Sequence, residues 1–251
     1  MLVVMIMKHR NSIFALTFLS CSLSLSACSK EKAPETKENT KTEAKEEDKG
    51  TPLFNGKDLA GWKIVGGNGQ YKIEGDCIVG FGENIRGNTF LRTEKTYKDF
   101  ELTFEFKFDH LKGNSGVMFR ANQKPSEDGN GRVFGYQCEG DNTKRGWTAG
   151  LYDEARRGWL YPTKGKTEAE VELAKKFTKQ GNEKFNWEGW NTIKIRCKGN
   201  HIQTWLNGEK RVDFVDKDEK HDTREGFIGL QVHGGKSFQA RWKNIVLKEL
   251  K

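Results

Sequence analysis

Phe100-Glu-Leu-Thr-Phe-Glu-Phe-Lys-Phe108 alternates without a break between large apolar and polar residues. Successive side chains of an extended strand point to opposite sides. The stretch therefore buries Phe100, Leu102, Phe104, Phe106 and Phe108 on one face and leaves Glu101, Thr103, Glu105 and Lys107 on the other. Working outward, the same pattern recurs. Tyr71 to Val79 reads as a hairpin turning at Gly75-Asp76, and Trp190 to Cys197 turns at Gly199-Asn200 into His201 to Leu206. Asn207-Gly208 makes a second tight turn. Gly226 to His233, and a run from about Phe238 to Leu247, add two strands. Many strands, Gly and Asn turns and little helix imply an all-β fold, a sandwich or jelly roll of antiparallel sheets. One short inserted helix is expected from Thr167 to Lys179, between Trp159 and Trp190. Thr167 with Glu170 fits a capping box, Leu173 and Phe177 sit four apart, and Gly181 can end the helix. Trp62, Trp190, Trp205 and Trp242 lie in or beside strand patterns and are expected in the core.

The N-terminus reads differently. The first 28 residues contain no acid. Lys8, His9 and Arg10 precede an apolar, serine-rich run from Ile13 to Leu25 that is too short for a comfortable membrane span. Leu25-Ser-Ala-Cys28 then matches a bacterial lipobox. Residues 1–27 are thus expected to be a lipoprotein signal peptide, with translation starting at Met1 or Met7, and Cys28 the lipidated mature N-terminus. Residues 28–51 have almost no apolar side chains and mix Lys with Glu, so they are expected to form a disordered tether. Residues 52–251 are enough for one domain with a full core. The expected location is the cell envelope, lipid-anchored to the outer membrane, with which Ser29 is compatible. The net charge of +8 comes from Lys and Arg scattered among acids, and behind an export signal it excludes nucleic acid as a partner. Cys77, Cys138 and Cys197 are widely spaced within strand-like runs, which points to buried free thiols. No Cys-x-x-Cys or paired-histidine spacing supports a zinc site.

Chemistry concentrates in Phe134-Gly-Tyr-Gln-Cys-Glu-Gly-Asp141. Alternation sets Gln137, Glu139 and Asp141 in a row on one side, with Tyr136 and Cys138 on the other. Trp147, Tyr152 and Trp159 follow closely. Carboxylates move protons and indole faces stack on pyranose rings, so the group suits a sugar; a polar strand at a sandwich edge would look the same. In Ile228 to His233, Gln231 and His233 share the side opposite Ile228, Leu230 and Val232. An imidazole there, before Gly234-Gly235, is suited to proton transfer at neutral pH, although a surface histidine at a strand end also fits. In Asn114-Ser-Gly-Val-Met-Phe-Arg120, Val117 and Phe119 look buried, and Met118 and Arg120 are expected to share the opposite face with Asn114. Arg120 would there hold an oxyanion or orient a carboxylate, and a structural salt bridge to Glu139 or Asp141 is equally open. Asp153, Glu154, Arg156 and Arg157 form a charged loop of the kind that lines sites or merely ties a surface together. Gly66-Gly-Asn-Gly69 lacks the strand–helix context of a nucleotide site.

These residues resemble the bacterial 3-keto-disaccharide hydrolase family, with its concanavalin A-like jelly roll. The likeness runs from about Pro52 to Leu250. It includes Leu53-Phe-Asn-Gly-Lys-Asp-Leu-Ala-Gly-Trp62, Asn114 to Arg120, Gly135-Tyr-Gln-Cys-Glu139, Gly150 to Tyr161, Leu230-Gln-Val-His-Gly234 and Trp242-Lys-Asn-Ile-Val-Leu247. Where relatives often carry Glu-Ile-Asp and then proline, this chain has Glu139-Gly140-Asp141-Asn142, and Gly140 is expected to loosen the strand.

The resemblance implies hydrolysis of glycosides whose sugar is already oxidised to a ketone at C3, usually by a separate nicotinamide-dependent oxidoreductase that is the functional partner. The ketone acidifies the C2 hydrogen; a base removes it, the enolate expels the C1 substituent, and water adds to the enone. In that scheme His233 or Glu139 is the base, Arg120 the oxyanion donor, and Asp141 the acid or water-orienting group. Gln137, Trp147, Tyr152, Asp153, Arg156, Trp159 and Gln231 would hold the sugar. No cofactor and no metal are expected, though oxygen ligands at Asp141, Asp153 or Glu154 would suit a divalent ion. Two other readings stay open. A conventional glycoside hydrolase needs two carboxylates about 5–5.5 Å or about 6.5–9.5 Å apart, and adjacent same-face strand positions such as Glu139 and Asp141 lie roughly 6–7 Å apart. The other is a non-catalytic carbohydrate-binding module on the same aromatic platform.

Overall fold

A computed structural model describes residues 49–109 and 113–251. The expected export signal, Cys28 and most of the tether lie outside the described residues. In chain order the strands are β1 (Thr51–Pro52), β2 (Trp62–Gly66), β3 (Gln70–Glu74), β4 (Cys77–Ile85), β5 (Thr89–Thr93), β6 (Phe100–Phe108), β7 (Asn114–Gln123) and β8 (Val133–Asp141). There follow β9 (Leu151–Glu154), β10 (Gly158–Tyr161), the helix α1 (Glu168–Lys184), β11 (Asn191–Lys198), β12 (His201–Leu206), β13 (Glu209–Val215), β14 (Phe227–Val232) and β15 (Gly235–Glu249). One sheet runs β13-β12-β11-β6-β15-β4-β3, with β1 along β15; the other runs β10-β9-β8-β7-β14-β5-β2. Both are antiparallel, and consecutive strands repeatedly cross between them, as in a jelly roll. Among the described residues no helix is long and apolar enough to cross a membrane.

β6 sits inside its sheet and buries Phe100, Leu102, Phe104 and Phe106 against the β8 sheet, as its alternation requires. Val117, Phe119, Tyr136, Cys138, Ile228, Leu230 and Val232 answer from the other side. Each such side chain contributes about 1.5–3 kcal/mol by leaving water. Gly140 belongs to this interface: a Cβ there would meet Phe106 Cζ at 3.0 Å. Its lack of a side chain gives Phe106 room, and the register with β7 runs unbroken from Asp141 to Tyr136, so the strand is not loosened. The hairpins fall where the turns indicate, with Glu74 opposite Cys77, Lys198 opposite His201 and Leu206 opposite Glu209. Asn207 and Gly208 both take positive φ, the requirement of a tight two-residue turn. Cys77, Cys138 and Cys197 are buried free thiols.

Three further expectations are corrected. α1 starts at the expected capping box, with both Thr167–Glu170 hydrogen bonds formed, but it runs through Gly181 to Lys184. Gly181 does not end the helix; it lets the helix approach the chain at Gly146, whose carbonyl oxygen lies 1.8 Å from where a Cβ would be. Trp190 and Trp205 are half-buried rather than core. Lys194 caps the Trp205 ring at 4.7 Å, and Lys107 and Lys243 cap Trp190 at 5.3 and 4.6 Å. Trp62 and Trp242 are in the core as expected.

Candidate active site on the outer face of the β8 sheet

Alternation that buries Tyr136 and Cys138 turns Gln137 and Glu139 to the other face of β8. On the neighbouring strands the same face carries Asn114 of β7, Tyr152 and Glu154 of β9, Trp159 of β10 and Gln231 of β14, with His233 just past the end of β14. Together with Arg145 they line one hollow of about 180 Å³. The amide, acid and imidazole groups at 137, 139 and 233 thus share a cavity. Gly116 lies opposite Glu139 on β7, and the Gln137 side chain folds over it: a Cβ at 116 would stand 2.5 Å from Gln137 Cγ.

Glu139 is the most constrained of these groups. Asn114 Nδ2 and Arg145 Nη2 donate to its Oε1 at 2.5 and 2.6 Å, and Gln137 Nε2 donates to Oε2 at 3.0 Å. Gln231 Nε2 in turn donates to Gln137 Oε1 at 2.9 Å, so an amide relay runs from β14 to the carboxylate. Gln231 is fully buried, and among the described residues its own Oε1 has no hydrogen-bond partner. Burial pushes the Glu139 carboxyl up to about 7, against the opposing pull of Arg145, Asn114 and Gln137. Such a group exchanges protons at neutral pH. Glu154 is also raised, again mainly by burial, with Arg132 and His233 opposing.

The histidine is oriented by its backbone. His233 Nδ1 lies 2.7 Å from Gly234 O, and a carbonyl only accepts, so Nδ1 carries the proton. In the neutral ring Nε2 is then the basic atom.

Arg145 comes from the loop between β8 and β9, which Asp141 organises. The Asp141 carboxylate accepts from Thr143 N and Oγ1 at 3.0 and 2.7 Å, Arg145 Nε at 2.7 Å and Trp147 N at 3.2 Å. The guanidinium lies 5.2 Å from the Trp147 ring centre and 5.0 Å from that of Trp159. α1 braces the loop from behind. Thr178 Oγ1 accepts from Trp147 Nε1 and donates to Arg145 O, while Asn182 donates to Lys144 O. Arg211 of β13 binds the carbonyls of Gly146 and Thr148 and the Gln180 side chain.

Of the residues expected at the site, Glu139, His233, Gln137, Tyr152, Trp159 and Gln231 line the hollow and five others do not. Arg120 is fully buried and points into the sandwich. A bulge between Phe119 and Asn122, with φ of +45° at Arg120, reverses the alternation there. Its guanidinium binds Lys98 O, Gly199 O and Asp99 at 2.6–2.7 Å, so it can neither reach an enolate nor pair with Glu139 or Asp141. Asp141 spends its oxygens on its own loop and is a positioning group rather than an acid facing substrate. Asp153 is fully buried on the other face of β9, held by Arg156 and Arg157. Arg156 stays with it and Thr223. Trp147 is buried edge-on to Trp159 at 4.5 Å, offering no face to a sugar. Asp153 and Glu154 face opposite ways, so the three carboxylates considered for a divalent ion do not converge; among the described residues no metal-ligand cluster forms.

Asn114, Arg145 and Glu154 also line the hollow, beyond the residues expected there. Glu154 was within reach, since alternation from Tyr152 gives it directly, and Asn114 shares the face already assigned to β7. Arg145 lies in a loop with no period to read.

Fold and site together define a concanavalin A-like jelly roll with an acid, amide and imidazole hollow on one sheet. The chain belongs to the 3-keto-alpha-glucoside-1,2-lyase-like domain family, which it matches over residues 49–248. Among solved structures it is similar to a candidate glycosyl hydrolase from Parabacteroides distasonis ATCC 8503, with 21% identity and a TM-score of 0.50 over 79% of this chain and 93% of that one. It is also similar to the carbohydrate-binding module CBM66 from Bacillus subtilis, with 18% identity and a TM-score of 0.50 over 75% and 96% of the two chains. At these identities the likeness is one of fold. No curated protein matches the sequence.

Proposed function

We propose that the protein cleaves the C1–oxygen bond of glycosides bearing a ketone at C3, by elimination followed by hydration. His233 Nε2 takes the C2 proton, and the electron pair passes into the C2–C3 bond as the ketone oxygen becomes an enolate. Arg145 faces that developing charge: its Nε and Nη2 hold Asp141 and Glu139, while Nη1 donates to no group among the described residues. Collapse of the enolate breaks the C1–O bond. Glu139, whose Oε2 accepts from Gln137 alone among the described residues, gives its proton to the departing oxygen. Water then adds at C1 and a proton returns to C2, so the net reaction is hydrolysis. Gln137, Gln231 and Asn114 bind hydroxyls, and Tyr152 and Trp159 pack on the ring. The observation that carries this reading is a half-ionised acid, an oriented imidazole and a guanidinium gathered around a hollow the size of one sugar ring.

The substrate's ketone requires an oxidation elsewhere, supplied by a nicotinamide-dependent sugar 3-oxidoreductase. Cys28 would anchor the enzyme to the outer membrane, in the compartment where that substrate is met.

The purified protein should release the leaving group from a 3-keto-glucoside without added nicotinamide. In deuterated water the 3-keto-glucose product should carry deuterium at C2 at early times. A second reading rests on Glu139 and Glu154, two carboxyls of raised proton affinity in one hollow, acting as a conventional glycosidase pair. Cleavage of unoxidised glycosides with no deuterium at C2 would replace the first reading with the second.

A further inference from the structure

Trp159 and Tyr152 line two hollows at once. Beyond them lies a second cavity of about 390 Å³, floored by Gly158 and walled by the segment that leads into α1. Above Gly158 the space is open, the nearest atom to an added Cβ being Tyr152 Cε2 at 3.8 Å. The first hollow, about 180 Å³, is well below the roughly 300–1,000 Å³ of sites that enclose a whole drug-sized ligand. It takes one ring, and the aromatic pair is the wall it shares with the second cavity.

The charges of the second cavity differ in kind from those of the first. Arg157 is committed to Asp153, Asp216 and Asp218 at 2.5, 2.7 and 3.3 Å. Glu170 is committed to the helix start, its Oε2 accepting from the amides of Lys166 and Thr167 at 2.7 and 2.9 Å. That leaves Lys164 and Lys166, exposed on the cavity wall, and among the described residues neither ammonium has an ion-pair partner. We infer that this cavity is a second subsite, resting on the reaction proposed above, which receives the departing ring and favours one bearing a negative charge, a carboxylate or a sulfate. The ring packs against Trp159 and Tyr152 while Lys164 and Lys166 face its anionic group.

The test compares kcat/KM of the wild type and the Lys164→Glu/Lys166→Glu double variant on 3-keto-glucosides whose leaving rings are glucose, glucuronate and glucose 6-sulfate. Both positions are exposed, so folding is not at stake. Exposed ion pairs being weak, the wild type should favour the anionic rings over glucose by about three- to tenfold, and the double variant should reverse the order. Preference for both anions marks charge as the determinant, and preference for glucuronate alone marks the carboxylate; either supports the subsite. Equal kcat/KM for the three in the wild type, or a preference the double variant keeps, overturns it. If the wild type cleaves none of them, the reaction itself fails, and an NMR titration with free glucuronate still decides the subsite. Binding weakened in the double variant retains it, and binding unchanged or absent in both proteins removes it.

Discussion

Replacing Glu139 by glutamine removes an ionisation that the fold resists. The carboxyl is pushed from its ordinary value of 4.5 up to about 7, chiefly by burial. Each tenfold change in proton affinity is worth about 1.4 kcal/mol, so the ionised side chain costs the folded protein about 3 kcal/mol relative to the unfolded chain. The sign follows from the raised value: the stabilisation is fully present below about pH 4.5 and is lost as pH rises through about 7. The Glu139→Gln variant cannot ionise there and lacks that loss. Its amide also fits the relay. Gln137 can turn its oxygen to the new NH₂, and Gln231 can then offer its idle Oε1. Thermal unfolding of both proteins at pH 4.5 and pH 8 isolates the effect, because Glu154 and every other titrating group are common to both. For a domain of this size 1 kcal/mol is about 2–4 °C, so the wild type should lose roughly 6–12 °C more than the variant between the two pH values. Parallel losses would refute the buried, half-ionised carboxyl, and with it the assignment of Glu139 as proton donor.

The Arg120→Met variant leaves Asp99 and two carbonyls without their partner and should lose about 3 kcal/mol of stability in denaturant unfolding, while kcat/KM of the folded fraction holds. A fall in kcat/KM at full stability would put Arg120 back in the site. Gly116→Ala drives a methyl to 2.5 Å from Gln137 Cγ, displacing the relay, and should cost about 10²-fold in kcat/KM with little change in far-UV circular dichroism. His233→Ala should abolish deuterium uptake at C2 and lower kcat by about 10²–10⁴-fold; continued exchange would transfer the base to another group.

What the sequence disclosed depends on how far each feature lies from its nearest neighbours. Strand faces at β6, β8 and β14 follow from a period of two, and turns such as Asn207-Gly208 from backbone sterics, so fold and the Gln137–Glu139–Gln231–His233 row were legible. Arg120 was misplaced because one extra residue in β7 reverses every later side chain, and Phe119-Arg-Ala-Asn122 carries no glycine or proline to announce the bulge. Trp190 and Trp205 lie in or beside strand patterns, which places them in the core, yet both are half-buried with lysine ammonium groups over their rings. Asp141 occupies its predicted position on β8, but its partners come from the loop that follows, and no local pattern states which hydrogen bonds a loop will choose. Arg145 was invisible for the same reason.

The brace behind that loop separates two kinds of dependence. The sandwich closes through its own sheets, whereas the guanidinium that answers Glu139 keeps its place through Thr178, Gln180 and Asn182 on an inserted helix. Peeling α1 away would take Phe177 from one side of the core and leave the cation beside Glu139 without the contacts that hold its loop. In this chain the setting of that cation is the more fragile property, because it rests on a segment that belongs to neither sheet.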